Sequence, residues 1–385
     1  MTAPSPLLAR AQSLRPLLRQ AAAGIERERR LASEVREALA AMGAFHLQLG
    51  RAYGGAAADP RSYLDVIEEL SRADASSGWC AMVASESSAC LNAWLAPAVI
   101  RNMLGSEPLA VVSLTAVGKG RAVAAGDGHR VSGRWRFTSG CRHAQWLGAL
   151  CVVHDGEQPR LTATGVPEMR IVFVASGDAL LIDTWHTSGL QGTASDDFCL
   201  DDVFVPTAHG FGLRDAPQDD NPAWRVPLGL RLAMSKAAAV CGMARGAMDA
   251  VLPLLDRTPF AGARAAREEA RVQSGLAEAE AAIEAGRAYL HREVASAWDA
   301  VCAGHTLDIE TVARTRLAIV FAARSALAAV NTMQDLGGTA GVFTPAFDRA
   351  VRDINVARHH LQLQAHVMED IGRVMLGQQP VHPLF

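Results

Sequence analysis

The apolar positions in the first hundred residues recur at the spacing of a helix. Five of them fall on one helical face in the first segment: Leu14, Leu17, Leu18, Ala21 and Ile25. A stretch rich in Gly and Ala interrupts the pattern at residues 50–60, and the pattern resumes from Tyr63. Asp74 precedes a further apolar run and is a residue type favoured at helix N-caps. We predict a helical domain over residues 1–109.

Between residues 110 and 215 the pattern changes to short apolar runs separated by turns. The runs occupy residues 110–114, 131–137, 147–153, 171–174, 180–182 and 198–205. Turn-forming segments such as Gly126-Asp127-Gly128 lie between them. Short apolar runs bounded by turn residues are typical of strands in antiparallel sheets. We therefore predict a middle antiparallel β-domain over residues 110–215.

Helical spacing returns at about residue 228, in a sequence rich in Ala. Two long amphipathic stretches cover residues 267–294 and 307–333, and small residues elsewhere would let helices approach closely. Four such helices predict an antiparallel four-helix bundle over residues 228–385, after a Pro-containing linker at 217–227. The predicted fold class is α+β and multidomain, with an N-terminal helical domain, a middle antiparallel β-domain and a C-terminal four-helix bundle.

Composition excludes several classes of function. The 385 residues carry a net charge of −3, which gives no basic surface for nucleic acid. No apolar run reaches the roughly 18 residues of a membrane helix, and the N-terminus lacks the apolar core of a signal peptide. The seven Cys are odd in number and form no CxxC pair. We predict reduced thiols in a cytoplasmic protein without a membrane span or a bound metal.

Three segments carry residue types that catalysis uses. Residues 131–140 read V-S-G-R-W-R-F-T-S-G, a strand with Trp135 and Phe137 on one face, followed by a turn. Residues 183–195 read D-T-W-H-T-S-G-L-Q-G-T-A-S, where the glycines permit tight turns. Residues 352–360 read R-D-I-N-V-A-R-H-H. Taken singly, the first is also compatible with an ordinary capped turn, and the last with two surface histidines on a helix.

Together with the helix–strand–helix order, these motifs resemble the acyl-CoA dehydrogenase superfamily over essentially the whole chain. The F-x-S-G form of the first motif is most similar to the branch of monooxygenases that depend on reduced flavin. The resemblance implies an enzyme that uses reduced FMN or FAD and O2 to hydroxylate or N-oxygenate a small organic substrate. No Rossmann motif is present, so the resemblance further implies a separate flavin reductase.

The resemblance also assigns roles to residues. It places Ser139 as a hydrogen-bond donor near the flavin N5 and His360 as a catalytic imidazole, a group that titrates near neutral pH. It places Trp79 and His186 against the substrate, although His186 also suits a structural role. The residues implied to contact the cofactor are Trp135, Phe137, Thr138, Ser139, Gly140, Thr193, Ser195, Arg257, Phe260, Gln334, Gly337 and Gly338.

The proton-abstracting carboxylate of the family's dehydrogenases is missing from both of its usual places. No Asp or Glu lies between Gly337 and Asp348, and none lies within residues 230–242. The alternative is therefore an FAD-containing acyl-CoA dehydrogenase-like enzyme with a non-standard base, and a third possibility is a scaffold that binds no flavin. The resemblance implies a homotetramer or homodimer. Substrate identity stays open.

Overall fold

The computed structural model describes residues 5–106, 108–258, 264–381 and 385. The chain begins with five helices: α1 (Pro6–Glu28), α2 (Ser33–Met42), α3 (Pro60–Ala73), α4 (Ala75–Trp94) and α5 (Pro97–Leu104). Side-chain oxygens of Asp59 and Asp74 accept backbone N–H groups at the starts of α3 and α4, and the cap at Asp74 was predicted from the sequence. Gly43 takes a positive φ of 80° and ends α2.

Helix α4 lies in the middle of the molecule and is buried along almost its whole length. It contains few large apolar residues, yet nearly every side chain from Ala75 to Ala93 is buried. Some of its serines bond within the helix, for example Ser87, which donates to the carbonyl of Val83 at 2.7 Å. The helix contacts α3, α6 and strand β1. Residues at its start and in its middle therefore lie where the helical and β parts meet.

Eight strands form one sheet within the described residues. They are β1 (Val112–Ala125), β2 (Gly128–Thr138), β3 (Trp146–Asp155), β4 (Gln158–Pro159), β5 (Met169–Ala175), β6 (Leu180–Ile182), β7 (Asp196–Pro206) and β8 (Gly210–Gly212). Their order is β6-β7-β2-β1-β3-β5-β8, with β4 paired to β3. The prediction of a purely antiparallel domain is wrong, because β1 and β3 pair in parallel. Strand β2 lies between β1 and β7. After β2 the chain therefore returns to the other edge of β1, where β3 pairs.

The C-terminal part contains α6 (Leu228–Val251), α7 (Ala270–Cys302), α8 (Ile309–Val342), α9 (Pro345–Ala357) and α10 (Ala365–Met375). The first four make the predicted bundle, and the short α10 packs on α8 as an addition to it. Gly338, at φ 47° and ψ −144°, kinks α8 near its end. A side chain at Gly242 would overlap the carbonyl of Glu68, so this glycine sets the close approach of α6 to α3.

Helices α6 and α8 are long and apolar enough to cross a membrane by length and composition. Their most apolar windows are 67% and 50% buried inside the protein. Packing within the bundle accounts for this composition, since core helices of globular proteins pass the same test. One hydrophobic core runs from α1 through the sheet to the bundle. The helical and β parts are therefore packed together around α4.

Candidate functional site

A chain of buried hydroxyls joins the turn after β2 to the turn before β7. The Oγ of Ser139 lies 2.7 Å from the Oγ of Ser195, which lies 2.7 Å from the Oγ1 of Thr193. Thr193 donates to the carbonyl of Leu190 at 2.8 Å. At the other end, the indole N–H of Trp79, in the first turns of α4, donates to Ser139 at 3.2 Å. The two sequence motifs and α4 thus converge on one cluster.

The direction of this hydroxyl chain follows from its two ends. The carbonyl of Leu190 has no proton, so the Thr193 hydroxyl must donate to it, and each hydroxyl has only one proton. Ser195 therefore donates to Thr193, and Ser139 donates to Ser195. Ser139 accepts from Trp79 and keeps one free lone pair. In the structure Ser139 therefore offers a hydrogen-bond acceptor, whereas the sequence predicted a donor.

Thr138 supplies the free hydroxyl instead. It ends β2, it is fully buried, and its Oγ1 has no hydrogen-bond partner among the described residues. Unpaired buried hydroxyls are uncommon in proteins, and the other two among the described residues, those of Ser71 and Ser77, belong to helices outside this turn. Next to it, Phe137 has a positive φ of 60° and leaves 53% of its side chain exposed, with its ring 6.0 Å from that of Trp185. An aromatic surface beside a free hydroxyl fits a flat ring with a hydrogen-bonding edge, such as a flavin.

Trp135 does not take part in this surface, contrary to the prediction. It is fully buried in the sheet, stacks on Phe198 at 5.0 Å, and donates its indole N–H to the carbonyl of Leu150. Period-two spacing had placed it on the same face as Phe137. The register of β2 against β7 shifts between Trp135 and Thr138, and the positive φ of Phe137 turns that side chain outward.

Gly140 links the two turns through its backbone. Its N–H donates to the carbonyl of Thr193 at 2.7 Å, and its φ of 80° favours glycine. Ser139 is held in addition by the hydroxyl of Ser113, which donates to the Ser139 carbonyl at 2.7 Å. The hydroxyl chain therefore lies on a backbone that is fixed from both sides.

His360 lies against Trp79, with ring centroids 5.7 Å apart in an edge-to-face arrangement. It follows α9 and caps the next turn, where its Nδ1 accepts the backbone N–H of Gln362 at 3.3 Å. Burial, together with the charge of Lys236, lowers the pKa of His360 to about 3. The imidazole is thus neutral at physiological pH, which corrects the prediction of a group titrating near neutrality. With Nδ1 accepting, its proton is on Nε2.

A buried ion pair near His360 was missed by sequence reasoning. Glu86 of α4 accepts from Lys236 and from the hydroxyl of Ser235, both on α6. Burial raises the pKa of Glu86, and the Lys236 charge opposes that shift. The available signal was the position of single charged residues within otherwise apolar or small-residue helices, since ionised groups are rarely buried without a partner.

Asp353 of α9 supports the turn that ends the hydroxyl chain. Its Oδ1 accepts the N–H of Leu190 at 2.6 Å, and burial raises its pKa to about 7. It also lines a cavity of about 200 Å³ between α1, α3, α6 and α9, together with Asp74 and Arg349. Arg352 donates to the carbonyl of Ser188 at 2.6 Å. Arg352 and Asp353 thus fix the backbone at Ser188 and Leu190, just before Thr193.

The other predicted site residues lie outside this cluster. His186 is 63% exposed and contacts Arg29 and Asp183. Arg257, Gln334 and Gly338 are exposed, Gly337 packs on Phe347, and Phe260 lies outside the described residues. Among the hydrogen bonds and ion pairs of the described chain, none joins them to Ser139 or His360. Their contacts with cofactor or substrate stay predictions.

One group elsewhere has metal-ligand chemistry. Potential ligand atoms of Asp65, Glu68 and His291 lie within 4.8 Å of one another. Arg287 donates to both carboxylates, at 3.0 Å to Asp65 and 2.8 Å to Glu68. Because Arg287 already bonds to both carboxylates, this cluster forms an ion-pair network between α3 and α7.

Comparisons with known proteins identify the family. Residues 11–99 match the family "Acyl-CoA dehydrogenase, N-terminal domain", and residues 234–365 match the family "Acyl-CoA dehydrogenase, C-terminal domain". The chain is 30% identical to the oxygenase component of the FADH(2)-dependent resorcinol hydroxylase of Rhizobium sp. (strain MTP-10005), over 97% of this chain and 95% of that protein. It is 28% identical to the indole-3-acetate monooxygenase of Pseudomonas putida, over 92% and 90% of the two chains.

Solved structures share the fold. The 3-HSA hydroxylase from Rhodococcus sp. RHA1 superposes with a TM-score of 0.90 at 24% identity, over 99% of both chains. XiaF from Streptomyces sp., in complex with FADH2 and glycerol, gives 0.89 at 24% identity, over 98% of this chain and 97% of XiaF. The predicted order of helical, sheet and helical parts is confirmed. The chain belongs to the acyl-CoA dehydrogenase superfamily and, within it, to the flavin-dependent monooxygenases.

Proposed function

We propose that this protein is the oxygenase component of a two-component monooxygenase. It takes reduced FMN or FAD from a separate flavin reductase and uses O2 to hydroxylate or N-oxygenate a small aromatic substrate. The relatives support this assignment, since one is an FADH(2)-dependent oxygenase component and another acts on indole-3-acetate. The single observation that carries the proposal is the free hydroxyl of Thr138 beside the Trp79–Ser139 hydrogen bond.

The surroundings of this cluster favour oxygenation over dehydrogenation. Among the described residues, no Asp or Glu forms a hydrogen bond or ion pair with Trp79, Thr138, Ser139 or His360. Glu86, which also lies on α4, already accepts hydrogen bonds from Lys236 and Ser235. Abstraction of a proton from a substrate requires a positioned base with a suitable pKa. A neutral His360 with a pKa of about 3 is a poor base.

Each residue of the cluster has a defined task. Reduced flavin, when bound, supplies the two electrons with which O2 is activated. Thr138 and the free lone pair of Ser139 would hold the polar edge of the ring, and Phe137 with Trp185 would hold its flat surface. His360 carries its proton on Nε2 and lies against Trp79, so it would offer a hydrogen-bond donor beside the cluster. Burial of the hydroxyl chain keeps water from its polar atoms.

The test is a coupled assay with isotopic oxygen. The purified chain is mixed with a flavin reductase, NADH, FMN or FAD, and an aromatic substrate panel that includes resorcinol and indole-3-acetate, under 18O2. We expect one 18O atom in the product and no turnover without the reductase. A product that forms anaerobically with an artificial electron acceptor and contains no 18O would identify a dehydrogenase and contradict the proposal.

We also propose that the protein acts in the cytoplasm as a homotetramer or homodimer. The support is limited to two features. The seven Cys are free thiols, and Val342 and Phe343, at the end of α8, leave 66% and 80% of their side chains exposed. Light scattering of the purified chain measures the assembly. A monomer at micromolar concentration contradicts this part.

A further inference from the structure

Arg231, in the first turn of α6, is a cation held by aromatic rings rather than by acids. Its guanidinium carbon lies 4.7 Å from the ring centroid of Trp224 and 5.8 Å from that of Trp94. Its Nε is buried and bonds to no described residue, and within the described chain no carboxylate lies at ion-pair distance. Burial lowers its pKa, although an arginine stays protonated at physiological pH. A buried donor left unpaired destabilises the fold, and more so when it is charged.

The aromatic surround of Arg231 is fixed by three parts of the chain. Trp94, at the end of α4, stacks on Phe211 at 4.4 Å with 10° between the planes, and its indole N–H donates to the carbonyl of Asp215. Trp224 lies in the linker before α6 and donates to Asp219. Both indole N–H groups are therefore occupied, and the rings turn their faces to the guanidinium. This contact leaves the Nε of Arg231 without a hydrogen-bond partner among the described residues.

The charges between α4 and α6 do not balance. Cys90 and Glu86 are the acidic groups that raise the pKa of Arg231, but burial raises the pKa of the Cys90 thiol to about 11, so it is neutral, and the two oxygens of Glu86 already accept from Lys236 and Ser235. One positive charge therefore remains without a partner, on Arg231. Five residues separate it from Lys236, a rise of about 7.5 Å along the helix. The charge of Lys236 lowers the pKa of His360, whose ring lies against that of Trp79.

We infer that Arg231 binds the anionic group of the substrate, and that the substrate is an aromatic carboxylate. This inference rests on the proposed function for the reaction at the aromatic ring. A planar carboxylate matches the fork of a guanidinium, and it would satisfy the buried Nε and neutralise the charge. The neighbouring Trp faces would pack on the apolar part of the acid.

Paired ligands that differ in charge alone test this inference. Binding of indole-3-acetate and of indole-3-acetamide, and of phenylacetate and phenylacetamide, is measured by calorimetry with the purified full chain, with and without FMN. For wild type we expect at least one acid to bind about tenfold or more tighter than its amide, because a charge-assisted hydrogen bond contributes about 1.5–3 kcal/mol. R231M should abolish that difference.

The control is R292M. Arg292 also lies over an aromatic ring, 4.9 Å from the centroid of Tyr289, but it is 70% exposed and ion-paired to Glu293. This variant should keep the preference for the acid. Circular dichroism checks that R231M is folded. If R231M does not fold, the comparison of acid with amide in wild type still tests the inference.

Three results overturn the inference: equal affinity of acid and amide in wild type, no binding by either acid, or an undiminished preference for the acid in folded R231M. Binding is measured without reductase or O2, so the proposed function fails separately. A wild type that binds the acids and oxygenates nothing contradicts the function alone. One that hydroxylates resorcinol and binds no acid contradicts the Arg231 site alone.

Discussion

At the scale of single residues, two neighbouring hydroxyls with the same chemistry have different tasks. Ser139 and Thr138 follow each other, yet Ser139 is bonded into the hydroxyl chain while Thr138 is unpaired. The sequence alone could name both as candidates, because both stand in the strand-turn motif. It could not separate them, because the partners of Ser139 come from Trp79 and Ser195, 60 and 56 residues away.

The substitution T138V tests the role of the unpaired hydroxyl. It replaces a buried hydroxyl without a partner by a methyl group of similar shape, so we expect the ligand-free protein to become more stable, by about 1 kcal/mol. FMN affinity should fall about five- to tenfold, since the hydroxyl's bond to the ring is lost. Urea unfolding and flavin titration give the two values.

The matched control for this substitution is T115V. Thr115 is also a buried threonine of the sheet, but its hydroxyl donates to the carbonyl of Arg136 at 2.8 Å. We expect T115V to lose about 1–2 kcal/mol of stability and to keep its flavin affinity. A T138V protein that is as destabilised as T115V, with normal FMN binding, would mean that Thr138 is a structural residue.

His360 gives a prediction on pH. Its pKa is about 3 in the folded chain and about 6.5 when unfolded, so below pH 6.5 the unfolded state binds the extra proton. Its contribution to stability is complete above pH 6.5 and falls as the pH drops toward 3. We expect H360Q to lose less stability than wild type between pH 7 and pH 5, measured by urea unfolding. Parallel curves for the two proteins would contradict the lowered pKa.

At the scale of elements, the sequence predicted the strands and long helices well and failed at an irregularity. Alternation of apolar and polar residues placed β2 correctly, but it also placed Trp135 and Phe137 on one face. The register shift against β7 and the positive φ of Phe137 separate them. Such a bulge depends on the partner strand, which lies about sixty residues later, so local spacing does not reveal it.

Helix α9 gives a second prediction on pH with the opposite sign. Asp353, which ties α9 to Leu190, has a folded pKa of about 7, raised by burial above the usual value near 3.9. The folded state therefore binds the extra proton, and stability is lost as the pH rises from about 4 through 7. D353N keeps an oxygen acceptor for Leu190 and cannot titrate. As the pH rises from 5 to 8, we expect D353N to lose less stability than wild type, because the loss due to Asp353 is removed and the opposing effect of His360 remains.

The two titrations act in opposite directions between pH 5 and pH 7, so wild type alone cannot reveal either. The variants separate them: H360Q removes the loss on acidification and D353N removes the loss at higher pH, so the difference of each variant from wild type reports one group. If D353N and wild type gave the same curve between pH 5 and pH 8, the raised pKa of Asp353 would be wrong.

At the scale of the whole molecule, the helix–strand–helix order and the motifs predicted the family, and the junction between the parts stayed hidden. Glu86 and Lys236 are 150 residues apart and meet only because α4 and α6 pack together. Arg231 is likewise surrounded by Trp94 and Trp224, from the helical part and the linker. The segment around each residue does not show which residues surround it in the fold. The charge balance at this junction is a property of the packed parts, which no local pattern expresses.

The ion pair at this junction gives the last prediction. Glu86 and Lys236 are 8% and 5% exposed, so removal of one partner leaves an uncompensated buried charge. We expect K236M to lose about 3–5 kcal/mol of stability and the double variant E86L/K236M to recover most of it, because well-packed apolar residues can replace a buried pair at little cost. Loss of the Lys236 charge should also raise the pKa of His360, visible by NMR of its ring protons. If the double variant were no more stable than K236M, the loss would stem from packing around α4 and α6, and the pair would not be the electrostatic link between them.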